Sequence, residues 1–555
     1  METVPIVIVG GGPVGLAAAL EFARYGVRSL LLERHHSTTW HPKARNLNTR
    51  TMEIARGWGR AVHDELTAVN LPPGWTSQII YARTLAGEEL GRMPTRGFAG
   101  FGRKVSPEIP LLSSQDVFEP ILRRGAEATG LAELRFGHEA VQVDAGMSTG
   151  DDRVVVTVRE LPSERRYQVE AEYLIAADGA ASSIRSQMGI ELDGPKGIGH
   201  FVNVYFKADL DPLVAHRPAI LYFVAGEDAR GVFQPLDARG RWLCQINYDG
   251  TSTAFEAYTP EHCIDWIRTA VGDPACAPDI LAVATWTMNA TVARRLVTGR
   301  IILAGDAAHQ LPPTGGFGMN TGIQDVHNLA WKLAVVCAGV AGSKLLETYD
   351  SERRPVARFN ADRSLDNSRM VARISAAATD GADDGPSPEE TVAESRRYGN
   401  FLGMELGFSY DSAAIVADGT EAPSREDAVI DYVPTGRPGH RAPHVWLERD
   451  GERCSTLDLF GSGFTLLAGA SGTSWLDAAR MAGDRLGIQP AGFTIGSGGD
   501  FQDEPGDWTS QYGVYDDGAA LVRPDGHVAW RSAAAVPEPV GVLSSILRRV
   551  LQRTA

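Results

Sequence analysis

The sequence predicts an α/β protein in which a parallel-sheet domain is interrupted by a mainly antiparallel β domain and followed by a separate C-terminal α/β domain. Three observations lead to this class. The first forty residues alternate strand, glycine turn, helix and strand. Residues 200–286 alternate aromatic-rich segments at the period of a strand, and the chain beyond about residue 418 has strand and helix patterns of its own. A length of 555 residues also exceeds what one hydrophobic core holds.

The composition excludes several classes of protein. Apolar residues make up 43% of the chain and charged residues 22%, which is typical of a globular protein. The 53 basic and 69 acidic residues give a net charge of −16, which argues against a nucleic-acid partner because neutralising phosphates requires a basic face. The five cysteines are scattered without C-x-x-C pairs or zinc-ligand spacing, so we expect a reducing compartment and no metal. Without a signal-peptide pattern or a membrane-length apolar run, the chain is predicted to be cytoplasmic and to contact no membrane.

A glycine-rich turn joins the first predicted strand to the first helix, which Pro13 opens. The turn fits the pattern G-x-G-x-x-G with Gly10, Gly12 and Gly15. The first glycine permits the tight turn, the second lets a pyrophosphate approach the backbone, and the third allows close helix–strand packing. The helix N-terminus offers N–H groups and a positive dipole end to phosphates. Glu33 closes the second strand where an acid bonds a ribose hydroxyl, so the motif predicts a Rossmann-like site for FAD or NAD rather than NADP.

Two further glycine–acid motifs follow predicted strands. Asp178 begins D-G-A-A-S-S-I-R after the strand 173–177. Asp306 lies in G-D-A-A-H after the strand 300–304, and a glycine-rich turn then leads into a helix predicted over 322–340. A carboxylate at a strand end can accept from ribitol or ribose hydroxyls, and the turn directs N–H groups at a ligand. This location suits the negative charge that a flavin develops on reduction.

The alternating segments from residue 200 to 286 predict a sheet that forms its own layer. Their aromatic side chains either wall a pocket for a flat ligand or pack in the sheet core, and the pattern leaves both open. As substrate contacts the sequence favours Tyr205, Tyr222, Phe233 and Trp242, together with Pro312 of the glycine-rich turn.

The C-terminal part contains a buried-strand run over 464–467, a helix over 475–486 and a hairpin over 518–530 around Asp525-Gly526. The apolar face of the last helix, Leu543 to Leu551, is expected to pack in a core. A Gly-Asp-Pro-Ser stretch, Thr379 to Pro388, has the composition of a linker. The predicted divisions are 1–185 with 285–390, 186–284 with part of 76–105, a linker at 391–430, and a C-terminal domain at 431–555.

The three motifs, together with Lys43-x-Arg45 and Gln115, make residues 5–375 resemble the class A flavoprotein monooxygenases of the p-hydroxybenzoate and phenol hydroxylase group. The C-terminal part resembles, less specifically, the thioredoxin-like domain of polyketide aromatic hydroxylases and dichlorophenol-type hydroxylases. Its matching stretches are P-G-H-R-A-P from Pro438 and D-L-F-G from Asp458. Because C-x-x-C is absent, packing or assembly is favoured over a redox role for this domain.

The resemblance implies an FAD-binding domain and assigns roles to matching positions. Those for the ADP half are Gly10, Gly12 and Gly15 with Pro13, Glu33 and Arg34. Those for the central portion are Arg45, Gln115 and Asp306. Those along the isoalloxazine are Pro313, Gly316, Gly318, Met319 and Asn320, and Asp178 with Arg185 is linked to both FAD and NAD(P)H.

The resemblance also implies the reaction. FAD, reduced by transiently bound NADPH or NADH, would react with dioxygen to a flavin C4a-hydroperoxide that hydroxylates an aromatic, phenolic substrate. The polyketide likeness favours a polycyclic small molecule, with a simple phenol as the alternative. A Baeyer–Villiger oxygenase and a non-catalytic FAD-type binding protein remain open on the same scaffold. A homodimer is compatible with the sequence.

Histidines suggest two further sites, and both are weighed against ordinary roles. His309 follows the Gly-Asp motif, and a structural turn histidine is favoured over a catalytic base because a base must reach the substrate. His35, His36 and His41 lie close together, but without cysteine or carboxylate partners at ligand spacing a solvated loop is favoured over a metal site. No residue is identified as the base that deprotonates a phenol.

Overall fold

A computed structural model describes residues 1–95, 104–145, 153–248, 255–379, 388–394 and 396–553. In chain order its strands are β1 (Glu2–Val9), β2 (Ser29–Glu33), β3 (Asn46–Leu47), β4 (Gln78–Ala82), β5 (Glu89–Pro94), β6 (Leu111–Leu112), β7 (Ala132–Phe136), β8 (His138–Asp144), β9 (Val154–Glu160), β10 (Arg165–Ala176), β11 (Leu192–Asp193), β12 (Gly199–Lys207), β13 (Leu221–Ala225), β14 (Arg230–Pro235), β15 (Arg241–Tyr248), β16 (Asp279–Met288), β17 (Thr291–Ala293), β18 (Val297–Thr298), β19 (Ile301–Leu303), β20 (His309–Gln310), β21 (Trp446–Arg449), β22 (Glu452–Ser455), β23 (Thr465–Gly469), β24 (Ala491–Ile495), β25 (Gln502–Asp503), β26 (Ala519–Val522) and β27 (Val528–Ser532).

The α-helices are α1 (Pro13–Arg24), α2 (Thr49–Arg56), α3 (Arg60–Ala68), α4 (Gln115–Ala128), α5 (Ser183–Gln187), α6 (Asp211–Val214), α7 (Pro260–Val271), α8 (Phe317–Cys337), α9 (Glu347–Thr379), α10 (Pro388–Glu394), α11 (Leu402–Leu406), α12 (Thr473–Leu486), α13 (Asp507–Tyr512) and α14 (Pro539–Val550). In the part of the chain that the structure describes, none of these helices has the length and apolarity needed to cross a membrane.

The first sheet has the order β18-β19-β10-β1-β2-β7; β9 also pairs with β10, and β8 pairs with β9. Its central strands β1, β2, β10 and β19 pair in parallel, and they are apolar because both faces are covered. One core cluster joins these strands to α1, α4 and α8. The carboxyl ends of β1, β10 and β19 therefore meet at one edge of the sheet, which brings the three glycine–acid motifs together although they are distant in sequence.

The second sheet has the order β16-β12-β15-β14-β13-β4-β5, and all its pairs are antiparallel except β13 with β4. This confirms the predicted mainly antiparallel layer. One face packs against α7 in a cluster of aliphatic and aromatic side chains. The other face looks toward the first sheet and α9.

The C-terminal sheet has the order β24-β23-β26-β27, with a parallel β23–β24 pair and antiparallel pairs elsewhere. Helices α12 and α14 pack on it around Trp475, and Leu543 and Leu547 are fully buried there, as predicted for the last helix. This strand and helix order is that of a thioredoxin-like domain. The hairpin around Asp525-Gly526 is also confirmed, with Gly526 at φ 75°.

The predicted local elements are largely confirmed, with two shifts at their ends. The helical periodicity of the sequence starts at Leu111, but α4 begins only at Gln115, because Leu111 and Leu112 pair with β3 as the short strand β6. The helix expected over 322–340 begins earlier, at Phe317. Residues 380–387 of the linker candidate lie outside the described part of the chain, as do residues 96–103 of the segment 76–105.

The segment 391–430 packs against the rest of the protein. Tyr398, Phe401 and Met404 lie in one apolar cluster with side chains of β4 and β13. Glu405 is buried at the start of α2, where its carboxylate accepts from the Thr49 backbone N–H at 3.0 Å. Burial raises the pKa of Glu405 to about 7, against the smaller lowering effect of the hydrogen bonds from Thr49.

A buried ionic cluster joins the C-terminal hairpin to α8 and α9. Arg523 donates to both oxygens of Glu352, at 2.6 and 2.9 Å, and forms an ion pair with Asp525. Lys332 donates to Glu352 at 2.8 Å and to Asn328 at 2.9 Å. These four charged side chains are at most 1% exposed, and the two positive charges balance the two negative ones. Burial alone would raise the pKa of Glu352, but the two cations hold it below its usual range.

Substitution of the central arginine, Arg523→Met, should lower the free energy of unfolding by about 3–5 kcal/mol, because it leaves Glu352 and Asp525 without their shared cation in the interior. Urea denaturation followed by circular dichroism measures the change. Arg480→Met, on α12, is the control, since Arg480 pairs with Asp477 and Asp484 at the surface, where such pairs contribute ~1 kcal/mol or less. Equal losses in the two variants would contradict the stabilising role assigned to the buried cluster.

The raised pKa of Glu405 predicts a pH-dependent stability. Because its pKa in the folded protein, about 7, exceeds the ordinary glutamate value of 4.5, its contribution to stability is present below pH 4.5 and is lost as the pH rises through about 7. Glu405→Gln should therefore gain roughly 2–3 kcal/mol relative to the wild type between pH 5 and pH 8 in urea denaturation. Exposed Glu421→Gln is the control, and a Glu405→Gln difference that does not vary with pH would refute the burial effect.

Candidate functional site

A cavity of about 1240 Å³ lies between the carboxyl edge of the parallel sheet, the free face of the second sheet and the second half of α9. The structure brings together many of the residues predicted from sequence on this cavity. Those that line it are Gly12, Pro13, Arg45, Gln115, Asp306, Pro312, Pro313, Gly316, Gly318 and Met319.

The glycine turn before α1 has the geometry of a phosphate cradle. A Cβ at Gly10 would lie 2.2 Å from the Ala177 carbonyl oxygen, and one at Gly15 would lie 1.8 Å from the Gly10 carbonyl oxygen. A Cβ at Gly12 would meet nothing within 4 Å, so the open space lies at the middle glycine. Gly12 also caps α1 without a side-chain hydrogen bond, which leaves the first-turn N–H groups facing that space.

Glu33 lies at the end of β2 beside this turn. Its carboxylate accepts from the Gly11 N–H at 2.6 Å and from the His35 N–H at 2.8 Å. Neither Glu33 nor its neighbour Arg34 lines the cavity, and Arg34 is exposed. Glu33 is therefore placed at the outer end of the turn, where an adenosine ribose is expected.

Asp306 lies in the turn after β19 and faces the cavity. The protein around it raises the pKa of its carboxyl by desolvation, although His309 and Lys43 oppose the shift. His309 is fully buried, and its Nε2 donates to Asp325 at 2.7 Å. The same carboxylate accepts from the Gly305 N–H at 3.2 Å. His309 thus has a structural role, as predicted, and fixes the turn that presents Asp306.

The glycine-rich turn leads into the N-terminus of α8. Gly316 caps that helix at φ 69°, a conformation that favours glycine, and no side chain caps the helix. Gly316, Gly318 and Met319 line the cavity, and their position beside the isoalloxazine stays a prediction.

Asn320 does not line the cavity, which corrects its predicted contact with the isoalloxazine. It is 1% exposed, and its amide group is used in four hydrogen bonds, donated to Asn46 and Gly316 carbonyls and accepted from Asn48 and Thr51. Its side chain fastens the start of α8 to the chain before α2.

Arg45 and Gln115 line the cavity on the side of the first domain. Arg45 donates to the carbonyl oxygens of Pro235 and Ile220, which ties the two sheets together, and burial lowers its pKa to about 9. Gln115 begins α4 and its Oε1 accepts from the Ala44 N–H at 3.2 Å. Lys43 lines the same wall, so the K-x-R pattern places both cations at the cavity.

Asp178 lies behind the cavity wall. Its carboxylate accepts from Ser182 Oγ at 2.6 Å and from the Ile184 N–H at 3.3 Å, at the start of α5. Arg185 donates to the carbonyl oxygens of Ala307 and Ala180 at 3.0 and 3.1 Å. Arg185 thus joins the second motif to the third, and Asp178 stabilises the second motif itself, while Ala177 and Gly179 on either side of Asp178 reach the cavity.

The aromatic residues predicted to contact substrate require correction. Tyr222, Phe233 and Trp242 are completely buried on the opposite face of the sheet, in the cluster that packs on α7. Tyr205 lies on the face of the second sheet that is directed toward the cavity, which we call the near face. It does not line the cavity, and Arg241 donates to its hydroxyl at 2.8 Å. Of the five predicted contacts only Pro312 lines the cavity.

The near face contains cavity-lining side chains that were not among the predicted substrate contacts. Phe201, Phe223 and Val232 line the cavity. Three carboxamide side chains also line it, Gln234 on β14 and Gln245 and Asn247 on β15. The signal was available in the alternation, because polar carboxamides at every second position identify the face that is not core. The face chosen from sequence contains Cys244 and Ile246 instead, and is apolar throughout.

The other wall comes from α9 and the segment that follows α10. The side chains on this wall include Leu365, Ser368, Arg369, Ala372, Tyr398 and Phe401. No sequence motif identified them, because they reach the cavity only through the packing of α9 across the second sheet.

The histidine cluster near residue 40 is divided by the structure. His35 and His36 are exposed, as expected for a solvated loop, but His41 is buried against Tyr205 with ring centroids 6.2 Å apart. Within the described ranges, no group of three or more histidine, cysteine or acidic side chains has the arrangement of a metal site.

Comparison with known proteins agrees with this geometry along the whole chain. Residues 3–364 match the family described as an FAD binding domain, and residues 435–554 match the family described as the C-terminal part of aromatic-ring hydroxylases. The 2,4-dichlorophenol 6-monooxygenase of Delftia acidovorans is 35% identical over 98% of this chain and 98% of that protein. The tetracenomycin A2 monooxygenase-dioxygenase of Streptomyces glaucescens is 36% identical over 100% of this chain and 98% of that protein.

Solved structures agree as well. The flavin-dependent monooxygenase PieE, in complex with FAD and substrate, has a TM-score of 0.91 at 38% identity and covers 100% of this chain and 99% of its own. An aklavinone-11 hydroxylase with FAD and aklavinone has a TM-score of 0.86 at 33% identity, with 100% of both chains covered. The chain therefore belongs to the FAD-dependent aromatic-ring hydroxylases and is a flavoprotein monooxygenase.

Proposed function

We propose that this enzyme hydroxylates a polycyclic phenol of the aromatic polyketide class, with NADPH or NADH as a transient reductant and dioxygen as the source of oxygen. The observation on which this rests is one continuous cavity that runs from the glycine turns and Asp306 to an aromatic sheet face. Relatives named as polyketide hydroxylases, from Streptomyces halstedii and Streptomyces coelicolor, support the substrate class.

The residues on the first-domain side fit FAD. The open space at Gly12 and the uncapped start of α1 suit the pyrophosphate, and Glu33 suits the adenosine ribose. Asp306 suits the ribitol region, because its carboxylate faces the cavity as a hydrogen-bond acceptor. The turn from Pro313 to Met319 would lie along the isoalloxazine, where the N-terminus of α8 is oriented to stabilise negative charge on the ring.

Bound and reduced FAD supplies the activation of dioxygen and the transfer of one oxygen atom to the ring. The chain's own residues supply position and a dry environment. Phe223 and Tyr398, with ring centroids 6.0 Å apart, and Phe401 form apolar walls that orient a flat ring and exclude water. Arg45, held by two carbonyl oxygens, fixes the distance between the cofactor side and the substrate side.

The cavity is large enough for a polycyclic substrate beside the flavin ring. Its about 1240 Å³ exceeds the roughly 300–1,000 Å³ of ordinary ligand pockets, and it has to hold both the flavin ring and the substrate. A Baeyer–Villiger outcome would use the same walls, so the position of the new oxygen atom in the product distinguishes the two reactions.

The direct test is flavin reduction by NADPH and by NADH without oxygen, with and without polyhydroxylated polycyclic phenols. We expect a yellow protein whose reduction is accelerated about tenfold or more by a suitable phenol, equivalent to ~1.4 kcal/mol of barrier. Admission of oxygen should then give a product with one added hydroxyl and an intact ring skeleton by mass spectrometry and NMR. A colourless protein would exclude the proposal, and a ring-expanded lactone would replace it with Baeyer–Villiger oxygenation.

The glycine cradle gives a second test, which needs no turnover. Gly12→Ala should leave the melting temperature of the apoprotein unchanged, since its Cβ meets nothing within 4 Å, but weaken FAD binding about tenfold or more by occupying the phosphate space. Gly15→Ala should instead destabilise the apoprotein, because its Cβ would lie 1.8 Å from the Gly10 carbonyl oxygen. Fluorescence titration of FAD and thermal melting separate the two effects. Wild-type FAD affinity in Gly12→Ala would place the pyrophosphate elsewhere.

A further inference from the structure

Three carboxamide side chains line the cavity on the near face of the second sheet. They are Gln234 of β14 and Gln245 and Asn247 of β15. Within the described part of the chain, none of these three side chains forms a hydrogen bond. By contrast, Asn203 on the adjacent strand accepts from the Trp286 indole N–H at 2.8 Å. The three amides therefore present unused donors and acceptors to whatever enters the cavity.

The strand register sets their spacing. Gln245 and Asn247 are two residues apart on β15, which places their Cα atoms about 7 Å apart on one face. Gln234 pairs with Leu243, so Gln245 is its diagonal neighbour across the strand pair. The row from Gln234 to Asn247 spans about 14 Å. A single phenol ring is too short to reach all three amides, whereas three or four fused rings are long enough.

The chemistry of the row selects for oxygen substituents. Each carboxamide can donate to a carbonyl or ether oxygen and accept from a phenolic hydroxyl. The neighbouring lining is apolar, with Phe201, Phe223 and Val232 beside the row. An aromatic ligand without polar groups would displace water from the amides and leave them unpaired, which costs binding free energy.

We propose that Gln234, Gln245 and Asn247 form a recognition row for the oxygen-bearing long edge of a fused polycyclic hydroxyquinone or polyphenol. The row determines substrate specificity and takes no part in the oxygen transfer itself. This inference rests on the proposed function for the substrate's polycyclic nature and adds which edge of the ring system is recognised and by which groups.

The test measures ligand binding to the FAD-loaded protein by equilibrium dialysis. The probes are emodin (a trihydroxylated anthraquinone), anthracene (three fused rings without oxygen) and phenol. Gln245→Met keeps the length of the side chain and removes its hydrogen bonds, and the double variant Gln234→Met with Gln245→Met removes two amides. Exposed Gln142→Met, on β8, is the matched control for the substitution. Flavin content and melting temperature establish that each variant is folded.

The expected result is a rise in the dissociation constant for emodin of about 3- to 10-fold in Gln245→Met, and more in the double variant. Anthracene, which has no polar group, should bind the wild type and the variants with equal affinity, and phenol, which is too short to span the row, should lose less affinity than emodin. The row is refuted if emodin binds all proteins equally, if the affinities for the three probes fall together, or if the wild type binds emodin no better than anthracene.

Coupled turnover separates this inference from the proposed function. If the wild type hydroxylates polycyclic phenols but the amide substitutions leave emodin affinity unchanged, the recognition row is overturned and the proposed function stands. Amide-dependent binding without any NAD(P)H-dependent hydroxylation would support the row and overturn the proposed function.

Discussion

The buried carboxylate of Asp325 is the interaction on which the cofactor side of the site depends. It accepts from the Gly305 N–H and from His309, and its other oxygen accepts from Arg353 Nε at 2.8 Å. Burial by itself would raise the pKa of Asp325, but His309 and Arg353 hold it below its usual range, so the group is a fixed negative charge. The turn that presents Asp306 to the cavity is therefore held by an ion in the interior rather than by surface contacts.

The C-terminal domain supports the same helices from behind. Arg353 donates to the Tyr410 hydroxyl at 3.1 Å, and the Tyr410 ring stacks on His527, the residue before β27, with centroids 4.2 Å apart. One residue earlier on α9, Glu352 is held by Arg523 of the hairpin. Because both contacts lie on α9, and the second half of that helix lines the cavity, the domain stabilises a wall of the cavity. This gives a thioredoxin-like domain without C-x-x-C a structural role in the enzyme.

The pleat of the second sheet separates packing from recognition. Successive side chains on β13, β14 and β15 point to opposite faces, so Tyr222 and Phe233 belong to the core while Phe223 and Gln234 reach the cavity. The core face is apolar throughout, as a buried face must be. The cavity face mixes aromatic rings with carboxamides, which is the composition of a surface that binds a flat, oxygenated ligand.

The sequence by itself determined the fold class and the first-domain side of the cavity, where we propose that FAD binds. Those features are local: a strand, a glycine turn and a helix occupy neighbouring residues, and the glycines are required by contacts within that unit, such as Gly15 against the Gly10 carbonyl. The carboxyl edge of a parallel sheet then brought Gly12 and Asp306 to one cavity, as the order of the motifs predicted.

Only the tertiary structure decided which residues line the substrate half. A strand pattern fixes which side chains share a face but not which face meets the core, since aromatic residues occur on both. Tyr222, Phe233 and Trp242 were therefore predicted to face the cavity, whereas they lie on the core face. Asn320 lies in the right turn, yet its four hydrogen bonds direct it away from the cavity. The wall formed by α9 and Tyr398 depends on how distant elements pack across the sheet, and no local pattern encodes that packing.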